Sequence, residues 1–147
     1  MLAHTITLEV FTTPEKDIEE FRSKLLKLIP FDIEEEEIEI EQKTVLGFNE
    51  EKVRILRIVL LKKGHIRKFL KSFTTLLSED TKNMIRNQAE RRLDQELNFY
   101  IRFKKGLFLN EGRVELTDQG DCFFLKIKVA AFPKKRETAL EIIDKIF

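Results

Sequence analysis

The stretch RRLDQELNFYIRFKK, residues 91–105, holds five basic side chains, two acids and three aromatics, and its reading decides the fold. Up to about Glu96 the apolar positions keep helical spacing; from Asn98 onward they alternate. Period two puts Phe99, Ile101 and Phe103 on one face and Tyr100, Arg102 and Lys104 on the other. A strand with one apolar and one wet face belongs in an antiparallel sheet covered on one side only. CFFLKIKVAAF, residues 122–132, repeats the pattern: Phe123, Leu125, Ile127 and Val129 share a face, opposite Phe124, Lys126 and Lys128. Each strand thus presents an aromatic followed by two cations.

Outward from these two strands, HTITLEVF (4–11) alternates Ile6, Leu8 and Val10 with Thr5, Thr7 and Glu9, and reads as a half-buried strand. A helix follows, with Thr13 as N-cap, Pro14 at its first position, a stripe of Ile18, Phe21, Leu25 and Leu28, and Pro30 as its stop. DIEEEEIEIEQKTV (32–45) is an acidic loop entering a strand that alternates at Ile38 and Ile40. Gly47 and Asn49 mark a turn, and KVRILRIVLLKK (52–63), apolar on both faces apart from Arg54 and Arg57, reads as a central strand. After Gly64, Ile66, Phe69, Leu70, Phe73, Leu76 and Leu77 keep helical spacing. Ser78, followed by Glu79 and Asp80, opens another helix expected to run to about Glu96. GRVEL (112–116) is a short strand, Asp118-Gln119-Gly120 a turn, and the segment after Pro133 an amphipathic helix carrying Leu140, Ile143 and Phe147. The order β-α-β-β-α-α-β-β-β-α lacks the strict alternation of parallel folds. It predicts an α+β two-layer sandwich: one domain, 1–147, with a mainly antiparallel sheet covered by helices.

Hydrophobic residues make up 42% and charged residues 36% of the 147 positions, a globular chain with a heavily charged surface. No apolar run reaches the roughly 20 residues of a membrane-spanning helix, and the amino terminus carries no secretory pattern. One cysteine, Cys122, excludes an internal disulfide, so a reducing, cytoplasmic setting is expected, with Cys122 packed in the core. Net charge is +1, but residues 1–51 hold 14 acids against 5 bases, and residues 52–147 hold 12 acids against 22 bases. That split of −9 and +10 can build one positive face on a nearly neutral protein.

The motifs of familiar enzyme classes are missing from the chain. His4 and His65 belong to no zinc pattern, and there is no GxSxG, P-loop or GxGxxG. EEEEIEIE fits no calcium loop and reads as a solvated charge run. No catalytic residue, metal ligand or cofactor is assigned. The basic features cohere better. KKGHIRKFLK (62–71) has five cations and no acid, and a helix burying Ile66, Phe69 and Leu70 leaves Lys63, Arg67, Lys68 and Lys71 outside, with His65 among them. Aromatics stack on unpaired bases while Lys and Arg neutralise phosphates, the combination of sheet-based RNA binders. The expected contacts are Lys63, His65, Arg67, Lys68 and Lys71 on the helix, and Arg91, Arg92, Arg102, Lys104, Lys105, Lys126 and Lys128 around the two strands. Tyr100 and Phe124 supply stacking. A wet sheet face carrying ordinary surface Lys and Arg explains the same residues about as well.

RRLDQELNFYIRFKK, the GRVEL hairpin and GDCFFLKIKVAAFPKKRETALEII together resemble a family of small archaeal proteins described as predicted RNA-binding proteins and predicted exosome subunits. Arg92, Asp94, Asn98, Tyr100, Arg102, Lys104 and Lys105 occupy the family pattern, and VLGFNEEKVRILRIVLLKKG resembles its glycine turn and following strand. The chain departs from the pattern around Leu46, at Lys104 in place of an aspartate, and at GLFLN in place of an alanine-rich stretch. The resemblance implies a fold similar to the ribosomal protein that binds 5S rRNA, and non-enzymatic RNA binding accessory to the exosome. Its implied partners are RNA and exosome or ribosome-related proteins. Two other readings stay open: a protein-interaction module or homodimer joining the acidic 32–41 segment to the basic half, and a metal-dependent enzyme with scattered ligands.

Overall fold

Ile6, Leu8 and Val10 are buried while Thr5, Thr7 and Glu9 are half exposed, so the alternation of the first strand survives intact in the structure. That strand, β1 (Ala3–Thr12), is followed by α1 (Ile18–Lys27), β2 (Glu41–Leu46), β3 (Lys52–Leu60), α2 (Lys63–Leu76), α3 (Glu79–Asn87) and α4 (Ala89–Arg92). The chain closes with β4 (Asn98–Lys104), α5 (Lys105–Glu111), β5 (Cys122–Val129) and α6 (Arg136–Ile146). The computed structural model describes residues 1–13, 18–47, 50–118 and 122–147. Pro14, Asn49, Gln119 and Gly120, which enter the expected helix start and two turns, lie outside the described residues.

The five strands form one sheet in the order β2-β3-β1-β5-β4, and every neighbouring pair is antiparallel. The expected α+β sandwich with an antiparallel sheet is what forms. β1 rather than β3 is the midpoint, although β3 has a partner on each side. The apolar sides of α1 to α6 join the same cluster as the inward residues of the sheet. Among the described residues the helices therefore lie on one face and leave the other open. Between the layers, Phe73 meets Phe103 at 5.9 Å, Phe103 stacks on Phe123 at 5.3 Å, and Phe147 of the chain end reaches Phe99 at 6.1 Å between ring centroids. Each fully buried phenylalanine contributes about 1.5–3 kcal/mol, so this layer of rings dominates the core.

Four expectations are corrected. The helix that opens at Ser78 ends at Arg92, not Glu96, and is interrupted at Gln88, whose φ of −99° and ψ of 9° leave helical geometry. Leu93 bridges to Phe99, turning the chain into a hairpin before Glu96. GRVEL keeps only a single bridge, Leu116 with Phe103. Ahead of it stands α5, a helix hidden in the sequence because Leu107, Phe108 and Leu109 run together without a 3.6 period. Gly112 ends that helix at a φ of +67°, where a side chain would be strained. Finally, β2 begins after Ile38 and Ile40: Ile38 N–H bonds the Ile33 carbonyl at 2.8 Å, and both isoleucines pack on the core edge instead of pairing.

Candidate nucleic-acid interface

The antiparallel register of β4 and β5 places each outward aromatic opposite a cation. Tyr100 faces Lys126, Phe124 faces Arg102, and Asn98 faces Lys128. Because cross-strand neighbours on one face are in contact range, the two rows mesh. The Tyr100 and Phe124 rings sit 5.4 Å apart, tilted by 34°, and the Arg102 guanidinium lies over Phe124 at 4.9 Å from its centroid. Arg102, Lys126 and Lys128 form no ion pair with any described carboxylate, so their charge faces solvent unneutralised. On the other half of the open face charges cancel: Arg57 bonds Glu9 at 2.6 Å and approaches Glu41 at 3.7 Å.

Tyr100 is held by a turn of five residues. Asp94 Oδ1 accepts the N–H groups of Glu96 and Asn98, both at 2.9 Å. Its Oδ2 accepts the Tyr100 hydroxyl at 3.0 Å and the Asn98 side-chain amide at 3.3 Å. Leu97 completes the turn at a φ of +67°, a conformation costly for a side-chain-bearing residue and kept only where surroundings enforce it. Here a carboxylate, the burial of Leu97 and the bond from Val129 N–H to its carbonyl enforce it. Burial works to raise the Asp94 carboxyl, but the hydrogen bonds from Asn98, Tyr100 and Glu96 outweigh it and hold the group below the ordinary carboxylate range. Burial, and then the bond to Asp94, pushes the Tyr100 phenol up, keeping its O–H donor in place. Asn98 Oδ1 is buried in this network without a hydrogen-bond partner.

The structure divides the expected contacts into four groups. Tyr100, Arg102, Lys104, Phe124, Lys126 and Lys128 share the open face, although Lys104 is drawn to Glu115 at 3.3 Å. Lys63, Arg67, Lys68 and Lys71 are exposed on α2, in the helical layer, so no single surface joins them to the open face. Arg91, also exposed, pairs with Asp118 at 3.3 Å.

Three of the expected contacts are buried in the structure. Arg92, His65 and Lys105 are each only 7% exposed. Arg92 donates to Gln88 Oε1 and to the Tyr100 carbonyl, and burial followed by the charge of Arg91 lowers its pKa. His65 stacks on Phe31 at 4.6 Å and meets Glu36 at 3.1 Å. Lys105 donates its ammonium to the Phe11 carbonyl and lies over the Phe21 ring at 5.1 Å. Apolar stems let long cations line a core while their heads find partners, which composition does not reveal.

Two features escaped sequence reading. Asp94, present in the resemblance pattern, had no role until the fold closed its turn. Phe11 is 42% exposed and stands on the open face with Thr5, Thr7 and Glu9. Its signal was available, since extending the alternation of β1 by one step places it outward.

Comparison with known proteins comes to the same architecture. A family model described as RNA binding matches residues 5–131. RNA-binding protein PAB1135 of Pyrococcus abyssi (strain GE5 / Orsay) is 30% identical over 142 residues, covering 96% of this chain and 91% of its own. The crystal structure of protein AF2318 from Archaeglobus fulgidus, of the DUF54 family, superposes with a TM-score of 0.86 at 25% identity, covering 100% of both chains. Mth689, a DUF54 protein from Methanothermobacter thermautotrophicus, gives a TM-score of 0.79 at 29% identity, over 99% of this chain and 98% of its own.

Proposed function

We propose that this chain, which belongs to the RNA-binding family, binds RNA through the open face of β4 and β5 and does so without catalysing a reaction. The observation that carries the proposal is the register of the two strands. Two aromatics and three cations without an ion-pair partner interlock on a face that no helix among the described residues covers. Arg102, Lys126 and Lys128 contact phosphates, and counterion release makes binding steeply salt dependent. Tyr100 and Phe124 supply apolar planes for bases. The name of the Pyrococcus abyssi relative supports the same reading. A titration with RNA between about 50 and 200 mM salt tests it: affinity should fall along a straight line in log–log form, and a flat line or millimolar binding refutes the proposal.

An accessory place beside the exosome rests on the resemblance alone, and co-purification of this chain with exosome proteins tests it. A second reading, self-association, is favoured by one contact. His65 of α2 meets Glu36 of the acidic segment, so exposed bases and exposed acids adjoin on one surface, an arrangement that a two-fold axis can match to itself. A dimer that dissociates at high salt and ignores RNA, seen by light scattering, would favour that reading over RNA binding.

A further inference from the structure

We infer that the RNA class taken by the open face is single-stranded, laid across three strands along an aromatic diagonal of Phe11, Phe124 and Tyr100; this rests on the RNA-binding reading above. The diagonal follows from the register. Glu9 of β1, Phe124 of β5 and Arg102 of β4 form one row across the sheet. Because β1 and β4 both run antiparallel to β5, they run in the same direction. Phe11 stands two residues after Glu9, and Tyr100 two residues before Arg102. The three aromatics therefore occupy successive steps of an oblique line across β1, β5 and β4.

Two physical points make that line a track for unpaired bases. The Tyr100 and Phe124 ring centroids are 5.4 Å apart, well beyond the roughly 3.4 Å rise of a stacked strand. Bases lying on them must be splayed, one per plane, as single strands allow. A duplex buries its base faces, and an A-form helix offers side chains only backbone and a shallow groove, so flat rings on a sheet find nothing in it to stack on. Each step of the line also carries its own chemistry. Tyr100 is preset by Asp94 and offers a fixed ring. Phe124 is capped by Arg102, so the plane presented there includes a guanidinium, which stacks on bases and keeps donors for phosphate. Phe11 is 42% exposed, the phenylalanine of the open face that is least covered. Glu9, the acid beside the track, is neutralised by Arg57.

The protein carries its own reporter. It has one tyrosine and no tryptophan, so intrinsic emission comes from Tyr100 alone. The full chain is titrated with a ten-nucleotide oligouridine and with a ten-base-pair RNA duplex, following tyrosine emission and the anisotropy of end-labelled RNA. The single strand should quench Tyr100 saturably and bind at least about tenfold tighter than the duplex. Phe11→Leu keeps an apolar side chain at a half-exposed position; it should weaken the single strand about fivefold or more while leaving the salt slope and circular dichroism unchanged. Asp94→Asn keeps an oxygen to accept the two turn N–H groups but loses the carboxylate oxygen facing the hydroxyl. It should reduce the quench and the preference for single strand, again with the salt slope intact. Equal or tighter duplex binding overturns the inference, as does single-strand binding that neither quenches Tyr100 nor responds to Phe11→Leu. Absence of any RNA binding overturns the proposed function, and this inference with it.

Discussion

Arg92 Nη1 donates to the main-chain carbonyl of Tyr100 at 3.3 Å, while its Nε and Nη2 close on Gln88 Oε1 at 3.1 and 2.6 Å. A cation from the start of the basic stretch thus ties α4 to β4 beneath the interface. Truncation leaves the Tyr100 carbonyl and the half-buried Gln88 amide short of a donor. Arg92→Met should lower stability by about 1–3 kcal/mol in urea unfolding and leave the salt slope of RNA binding untouched. Arg92→Lys should fail to restore it, because an ammonium cannot reproduce the forked geometry. A reduced salt slope with unchanged stability would return Arg92 to the interface.

Asp94 and Tyr100 give the fold a pH dependence at both ends. The Asp94 carboxyl lies below its ordinary value of 3.8, so its contribution is fully present above that value and is lost as pH falls through the folded one. The Tyr100 phenol lies above its ordinary value of 10.0, so its contribution is intact below that value and disappears as pH rises through the folded one. Urea midpoints measured across pH should therefore fall on an acid limb below about pH 4 that flattens in Asp94→Asn. The alkaline limb should flatten in Tyr100→Phe. Limbs unchanged in both variants would mean that other groups carry the dependence.

The two basic surfaces are separable by salt. Each of Arg102→Gln, Lys126→Gln and Lys128→Gln should reduce the slope of log affinity against log salt by about 0.7 for a single strand. A double Lys68→Gln, Lys71→Gln change on α2 should leave the slope as it was. An equal loss from α2 would mean that RNA wraps onto the helical layer and that the sheet face is only part of its path.

Ser78 caps α3 through its hydroxyl, which accepts the Thr81 N–H at 3.1 Å, with Glu79 and Asp80 in the first turn. Ser78→Ala should cost about 1 kcal/mol in chemical unfolding, and Ser78→Gly only a few tenths. RNA affinity should not change in either, since α3 lies in the layer away from the open face. An affinity loss would show that this layer is coupled to binding.

Elements whose signals are local were legible in the chain. The alternation of β1, β4 and β5, the stripe of α1 at Phe21 and Leu25 and the Ser78 cap all depend on neighbours a few residues away. Elements that depend on competition were not. Residues 93–96 continue a helical pattern, yet Asp94 gains more by capping its own turn and holding Tyr100 than by extending α4. GRVEL has the composition of a strand but forms one isolated bridge, at Leu116. In α5 three adjacent apolar residues blur the helical period.

Sequence by itself determined which face of each strand is apolar, and hence that Tyr100, Arg102, Phe124 and Lys126 point together, because side chains alternate along a strand whatever lies beyond it. It also determined a charge asymmetry strong enough to suggest a polyanion. Only the tertiary structure decided which of those charges are free. Lys105 finds its acceptor 94 residues away at Phe11, and His65 finds Glu36 at a separation of 29. Whether a cation faces water or a carbonyl depends on chain segments brought together by burial of the core, and composition carries no record of that. The same assembly turned three aromatics from distant strands into one line across the sheet.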